Sequence, residues 1–182
     1  MTQPSHLLIL DLEATCSNDR SIPPPEMETI EIGAVMVDRA TMQPVDEFQT
    51  YIRPVRHPQL TAFCAELTSI LQEDVDGAPA FPEAIAALRA WMVPFGTVLF
   101  CSWGDYDRKQ LEQDCAQHGL PYPMAEHLNL KVAFAEARGH KKKGVAGALK
   151  TVGLEFQGTH HRGIDDARNI ARLATYVFEP AS

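Results

Sequence analysis

Hydrophobic residues near the start of the chain form an almost unbroken run, HLLILDL at 6–12, which predicts a strand covered on both faces. The next segment, 17–29, is rich in turn-forming residues, and its three successive prolines exclude a helix or a central strand. Two further strands are predicted at 29–38 and 48–54. We expect these two strands to pair through a polar turn near 43–44.

Beyond residue 59 the hydrophobic pattern changes to a helical period. The predicted helices cover 59–71, 82–92, 107–118, 131–138, 144–152 and 164–178. Pro82 begins the second of these helices and Gly119 follows the third, which are the positions that proline and glycine favour at helix ends. A buried strand is predicted at 96–103, and a short apolar segment lies at 127–130.

Strands that come first and then alternate with helices predict an α/β fold, with a mixed sheet flanked by helices. The chain has 182 residues, of which 45% are hydrophobic and 22% charged, so we expect a single globular domain over 1–182. Ligands of such sheets bind at the carboxyl ends of the strands. Asp11 lies at one such end.

The chain is acidic, with 16 basic and 24 acidic residues and a formal net charge of −8. A field of this sign repels a polyanion, which argues against a protein that coats nucleic acid nonspecifically. It does not argue against an enzyme whose acidic residues hold metal ions, because bound cations reverse the local charge.

No apolar run reaches the length of about 20 residues that crosses a bilayer, and the first ten residues lack the features of a secretory signal. We therefore expect a cytoplasmic protein with no membrane contact. Cys16, Cys64, Cys101 and Cys115 form no C-x-x-C pair, which argues against a zinc knuckle or a disulfide scaffold. Their thiols are expected to be reduced and mostly buried.

Asp11 and Glu13 stand at the end of the first predicted strand. Side chains two residues apart on a strand share a face, so both carboxylates point the same way while Leu12 points into the opposite layer. Two partly desolvated anions this close favour a cation between them, because each raises the proton affinity of the other. A polar cap on the strand end is the alternative interpretation.

A second acidic signal lies in the segment SWGDYD, which contains Asp105 and Asp107. On the predicted helix, Asp107 shares a face with Leu111 and Cys115, whereas Asp105 lies on the exposed side. We therefore predict that Asp107 belongs to the site. Asp105 fits the exposed charge that stabilises a helix N-terminus.

A third signal lies in HHRGIDDARNIARLATYVF, near the end of the chain. Asp166 shares a helix face with Ile170 and Leu173, so it faces inward ahead of an apolar stripe. His161 precedes Asp166 by five residues, in a loop that would bring an imidazole to the same site. His160 is the alternative histidine.

In the order D-x-E, aromatic-D and H-x-x-x-x-D, these motifs resemble the DEDDh superfamily of 3′–5′ exonucleases. The resemblance is closer to the Eri-type exoribonucleases, the group of the histone-mRNA 3′-end exonuclease and the bacterial sporulation-kinase-pathway inhibitors. It is carried by LDLEATC, FCAELTSILQEDVD, SWGDYD and HHRGIDDARNIAR, which span nearly the whole chain. The resemblance implies a ribonuclease-H-like fold with a five-stranded mixed sheet whose first strand bears Asp11 and Glu13.

The resemblance also implies an activity, the removal of nucleoside 5′-monophosphates from the 3′ ends of single-stranded RNA. Asp11, Glu13, Asp107 and Asp166 would hold two divalent cations, with Asp11 bridging both. Oxygen ligands favour Mg²⁺, with Mn²⁺ as a substitute, over zinc. His161 matches the general base of the family and would take a proton from the attacking water.

The same resemblance implies a set of substrate contacts. The implied residues are Leu12, Ala14, Thr15, Phe63, Tyr106 and His161. Phe63 and Tyr106 match positions where an aromatic ring stacks on the terminal base, a contact that tolerates different bases. Phe63 fits equally well on the core side of its helix, and Trp103 fits packing or a loop anchor better than a base platform.

One concentrated run of basic residues, HKKKG at 140–144, lies between two predicted helices on the approach to His161. Such a run is commonly a solvated surface. In an acidic protein it is also a candidate guide for the phosphate backbone, whose contribution to binding would depend on salt.

Two other functions remain open from the sequence. The first is a DNA-directed exonuclease of the same superfamily, against which FCAELTSI and DDARNIAR favour RNA. The second is a regulatory binding protein that keeps the fold without catalysis. The presence of all four acids and the histidine favours an enzyme.

Overall fold

A five-stranded mixed sheet forms the centre of the molecule in the computed structural model, which describes residues 4–178. Its strands are β1 (His6–Ala14), β2 (Thr29–Asp38), β3 (Gln43–Tyr51), β4 (Val98–Ser102) and β5 (His127–Asn129). The strand order is β3-β2-β1-β4-β5. Strand β2 is antiparallel to both of its neighbours, while β1, β4 and β5 run parallel. The predicted α/β class with a five-stranded mixed sheet is confirmed.

Seven α-helices lie around this sheet within the described part of the chain. They are α1 (Ala62–Thr68), α2 (Gln72–Asp76), α3 (Phe81–Met92), α4 (Tyr106–Gln117), α5 (Leu130–Ala137), α6 (Val145–Thr151) and α7 (Gly163–Phe178). None of the described helices is both long enough and apolar enough to cross a membrane.

Alternate side chains of β1 pack in two separate hydrophobic cores, one on each face of the sheet. Leu8 and Leu10 lie in the core that contains side chains of α3 and α4, whereas Leu7 and Ile9 lie in the core that contains side chains of α7. This alternation explains the unbroken apolar run, because both faces of β1 are covered. It also directs Asp11 toward the side of α7, since Asp11 continues the series of Leu7 and Ile9.

The turn expected at 43–44 was wrong, because Gln43 and Pro44 are the first residues of β3. The chain turns earlier, where Oδ1 of Asp38 accepts the N–H groups of Ala40 and Thr41 at 3.0 and 2.8 Å. Strand β3 lies at the edge of the sheet, where a proline is tolerated because one side of the strand has no partner.

The helix expected over 59–71 is present as the shorter α1 (Ala62–Thr68), and α2 (Gln72–Asp76), which was not predicted, follows it. Ser69 ends α1 in the left-handed region at φ 58°. Thr61 caps the N-terminus of α1, where its hydroxyl oxygen accepts the N–H of Cys64 at 3.0 Å. Cys64 is buried, and the four cysteines are free as expected, with Cys16 partly exposed.

Candidate active site

Three carboxylates from β1 and α7 meet at the carboxyl end of β1. Asp11, Glu13 and Asp166 each offer an oxygen, and these oxygens lie within 4.8 Å of one another. Asp11 and Glu13 share a face because they are two residues apart on a strand, and Asp166 lies in the first turn of α7. The structure therefore brings together three of the four acids that the motifs single out.

Two glycines allow α7 to begin against the sheet. A side chain at Gly33 on β2 would overlap the backbone of Gly163, the first residue of α7. A Cβ at Gly163 would in turn lie 3.0 Å from the carbonyl oxygen of Asp11. Glycine at both positions is what lets Asp166 approach the acidic pair on β1.

Asp107 reaches the site from the opposite side of β1. It is buried in the first turn of α4, and its Oδ1 accepts the backbone N–H of Leu12 at 3.0 Å. Asp105 is exposed and accepts a hydrogen bond from Nδ2 of Asn129 at 3.1 Å. The structure thus places Asp107 inward and Asp105 outward, as the helical pattern predicts.

Burial and the proximity of like charges raise the pKa values of these acids. Burial and the charges of Asp107 and Glu13 raise the pKa of Asp11 well above its usual range. Burial and the nearby Asp166 raise the pKa of Glu13 to about 8. Burial also raises the pKa of Asp107 to about 6, and that of Asp166. A divalent cation would remove this repulsion, so the donor set fits a metal ion.

His161 is held next to Asp166 by its backbone. Its N–H donates to Oδ2 of Asp166 at 2.8 Å, and its backbone is left-handed, with φ 58°. His160, the alternative histidine, stacks its ring on Phe156 with 3.7 Å between ring centroids. Both histidines line the cavity described next.

The acids lie in an open cavity of about 400 Å³. Its lining comprises Asp11, Leu12, Glu13, Trp103, Tyr106, Asp107, Gly144, Val145, Ala146, Gly147, His160, His161 and Asp166. Tyr106 is 47% exposed, so its ring is open to a ligand. Trp103 combines two roles, since it lines the cavity and its Nε1 donates to the carbonyl oxygen of Lys143 at 2.9 Å.

Three residues expected to contact substrate lie outside the cavity lining. Ala14 and Thr15 are buried, and the hydroxyl of Thr15 accepts the N–H of Glu28 at 3.0 Å, which is a bond internal to the fold. Phe63 is half-buried and lines a neighbouring hollow of about 300 Å³, which it shares with Ser17.

The cavity wall from Gly144 to Gly147 is the part of the site that the sequence motifs did not reveal. This segment is small and apolar, so no charged or nucleophilic side chain marks it. The sequence feature that could have located this wall is its position directly after the exposed Lys141–Lys143. The structure therefore places these three lysines next to one wall of the cavity.

Comparison with known proteins agrees with this geometry. A family model described as exonuclease (RNase_T) matches residues 8–174. The chain belongs to this exonuclease family. Among curated relatives of the exonuclease, human ERI1 exoribonuclease 3 is 36% identical over 178 residues, covering 92% of this chain and 52% of that protein. Human ERI1 exoribonuclease 2 is 33% identical over 192 residues, covering 93% of this chain and 28% of that protein.

Solved structures show the same fold. The nuclease domain of 3′hExo, a DEDDh family member bound to rAMP, superposes on the exonuclease with a TM-score of 0.88 and 31% identity. The match covers 95% of this chain and 91% of that one, which confirms the ribonuclease-H-like fold. The chain spans about half the length of ERI1 exoribonuclease 3, and less of ERI1 exoribonuclease 2.

Proposed function

We propose that this exonuclease removes nucleoside 5′-monophosphates from the 3′ end of single-stranded RNA in a reaction that depends on divalent metal. The observation that carries the proposal is the convergence of Asp11, Glu13 and Asp166 within 4.8 Å in a cavity that Asp107 and His161 also line. The choice of RNA is supported by the relatives named exoribonucleases and by the neighbour bound to rAMP.

The four acids would hold two divalent cations. An all-oxygen donor set favours Mg²⁺ or Mn²⁺ over zinc, which prefers imidazole and thiolate ligands. When bound, such cations would offset the acidic charge and stabilise the charge that develops on the scissile phosphate. Asp11 would contribute to holding both cations, while Asp107 accepts the backbone N–H of Leu12 at 3.0 Å.

His161 would act as the general base. A neutral imidazole accepts a proton from the attacking water, and the left-handed backbone at His161 presents the side chain to the cavity rather than to the core. The bond from its N–H to Asp166 fixes this backbone relative to the acids. Attack on the terminal phosphodiester then releases a nucleoside 5′-monophosphate, with the new 3′-hydroxyl left on the shortened strand.

The walls of the cavity would hold the terminal nucleotide and the strand behind it. Tyr106 offers an exposed ring on which a base can stack, and Trp103 lies on the same lining. Lys141–Lys143 are exposed beside the wall formed by Gly144–Gly147, where they can attract the phosphates of the strand. These lysines supply local positive charge in a molecule whose net charge is −8.

Digestion of matched RNA and DNA oligonucleotides labelled at their 5′ ends tests this function. We expect a ladder of shortened RNA and released mononucleotides with Mg²⁺ or Mn²⁺, and none with a chelator or with Asp166→Asn. Faster digestion of DNA would favour a DNA-directed exonuclease. Binding of RNA without any released nucleotide, at all divalent ions tried, would favour a regulatory binding protein.

A further inference from the structure

Glu31 is a fully buried carboxylate that lies beside the acidic cluster without being part of it. It is 0% exposed, and in the pairing of β1 with β2 it lies directly opposite Glu13. The oxygens of Asp11, Glu13 and Asp166 converge with one another, whereas Glu31 is not in that group. A buried charge in this position requires partners of its own.

The partners of Glu31 belong to the segment that follows His161. Its Oε2 accepts Nε of Arg162 at 3.2 Å and the backbone N–H of Gly163 at 3.0 Å. Its Oε1 accepts Nε2 of Gln49 at 2.6 Å. Both oxygens are therefore engaged by N–H donors, which leaves Glu31 poorly suited to bind a cation.

Arg162 is fixed from a second direction by β3. Its guanidinium group lies over the ring of Tyr51, 5.3 Å from the centroid, and also bonds to the Tyr51 hydroxyl. Glu31, Gln49 and Tyr51 thus form a clamp from β2 and β3 that holds Arg162 and the start of α7. The backbone of β2 also lies directly against the start of α7, because any side chain at Gly33 would overlap the backbone of Gly163.

The clamp holds the segment that directly follows His161. His161 has a left-handed backbone, φ 58°, which is an unfavourable conformation for a residue with a side chain and persists only where its surroundings enforce it. Asp166 holds the N–H of His161 itself, and Glu31 holds the next two residues of the chain.

We propose that Glu31 is a positioning residue that sets the place of His161 and Asp166 relative to Asp11 and Glu13. The inference rests on the proposed function, because His161 and the acids are the groups that would do the chemistry. Glu31 does not line the cavity, so its effect is on the rate of the chemical step and not on the binding of RNA.

The test compares Glu31→Met and Glu31→Gln with a control, Glu28→Met. Glu28 is also buried, it is not among the residues that line the cavity, and it accepts the backbone N–H groups of 55–57 at 2.9 to 3.0 Å. For Glu31→Met we expect kcat at saturating Mn²⁺ to fall at least tenfold, with KM for RNA within twofold of wild type. The Mn²⁺ dissociation constant is expected to rise, because Asp166 is one of the groups that Glu31 positions. Glu28→Met is expected to lose thermal stability and keep kcat within twofold.

The kcat of Glu31→Gln is expected to lie between those of the wild type and Glu31→Met. Its amide oxygen can still accept from Gly163 and Arg162, and Gln49 can turn its own amide to match. A kcat for Glu31→Met within twofold of wild type, in folded protein, overturns the inference, as does a loss of kcat in Glu28→Met equal to that in Glu31→Met.

Tyr51→Phe keeps the inference testable if Glu31→Met fails to fold. It removes one hydroxyl beside Arg162, and we expect a two- to fivefold fall in kcat with KM unchanged. If Glu31→Met does not fold and Tyr51→Phe and Glu31→Gln both keep wild-type kcat, the inference is overturned. A wild-type protein that releases no nucleotide overturns the proposed function as well, whereas an active wild type with unaffected variants overturns the positioning role alone.

Discussion

The backbone N–H of Leu12 donates to Oδ1 of Asp107 at 3.0 Å, which joins the end of β1 to the first turn of α4. Leu12 lies between Asp11 and Glu13, so the bond fixes the fourth acid relative to the first two. The carboxylate of Asp107 consequently serves both the fold and the site. Its two functions can be separated, because an amide oxygen can replace the acceptor but not the charge.

Asp107→Asn and Asp107→Ala separate these two functions. Asp107→Asn keeps an acceptor for the Leu12 N–H, so its melting temperature should match or exceed that of the metal-free wild type. Asp107→Ala leaves the buried N–H unpaired and should cost about 1–3 kcal/mol more of unfolding free energy than Asp107→Asn. Both should lose kcat by more than the roughly 10- to 100-fold typical of an outer partner of a metal site. Chemical denaturation and nucleotide release measure the two effects, and equal stability of both variants would contradict the role of the bond.

Stability of the metal-free protein should fall as the pH rises. The pKa of Glu13 is raised to about 8 in the folded state, and an unfolded glutamate has a pKa of about 4.3. Between these values the folded state binds more protons, so raising the pH through this window removes stability. We expect a loss on the order of 3–4 kcal/mol between pH 5 and pH 8, or about 6–16 °C in Tm for a chain of this length.

Divalent metal should cancel this loss. At pH 8, saturating Mg²⁺ or Mn²⁺ is expected to raise the Tm of the wild type by several degrees, because the cation binds the folded state alone. Glu13→Gln should be more stable than the wild type at pH 8 without metal and should gain little from metal. Thermal melts at pH 5 and 8, with and without a chelator, measure both effects. A metal-free Tm that rises from pH 5 to pH 8 would disprove the repulsion among the acids.

The adjacent histidines provide their own matched pair of variants. His161→Gln should lower kcat by about 100-fold or more, the range for loss of a general base. His160→Gln should remain within a few-fold of wild type, because the ring of His160 is stacked on Phe156. Single-turnover assays measure the chemical step in both. A larger fall in kcat for His160→Gln than for His161→Gln would assign the general base to His160 instead.

The wild-type rate should also fall on acidification, because a protonated imidazole cannot accept a proton. The measurement is kcat between pH 8 and pH 5 with chemistry shown to be rate-limiting. A flat profile over this range would remove His161 from the role of base.

Removal of the three lysines should weaken substrate binding in a way that depends on salt. Changing Lys141–Lys143 to glutamine should raise KM and reduce the slope of log KM against log salt by up to about 2, given a slope of about 0.7 per phosphate contact on a single strand. The control changes Arg53, Arg56 and Lys150, which are exposed and outside the cavity lining, to glutamine. Equal slopes in the two triple variants would show that the lysines are only a solvated surface.

The sheet and the acids could be predicted because burial leaves a strong pattern in the sequence. Strand β1 is covered on both faces and therefore reads as an apolar run, in which Asp11 and Glu13 stand out. Asp166 stands out on α7 for the same reason, as a charge on an apolar face. The start of β3 could not be read, because residues 43–47 are exposed on an edge strand and carry no hydrophobic alternation.

Residues that act through contacts distant in sequence were harder to predict. Glu31 lies within the apolar segment TIEIGAV, where a buried charge signals a partner, but nothing nearby in the chain identifies that partner as Arg162, 131 residues away. Thr15 and Ala14 follow the acidic pair closely, yet the strand turns them into the fold and away from the cavity. Residues that lie next to site residues in the sequence therefore need not face the same cavity.

The contact between Gly33 and Gly163 fixes the side of the cavity that carries Asp166. Because β2 and the first turn of α7 touch through their backbones, the side that carries Asp166 cannot retreat from the sheet. The wall at Gly144–Gly147 follows Lys143, whose carbonyl oxygen accepts Nε1 of Trp103, the residue after β4. Because the contact between Gly33 and Gly163 is between backbones, the spacing of Asp166 from Asp11 and Glu13 does not depend on the rotamer of any side chain.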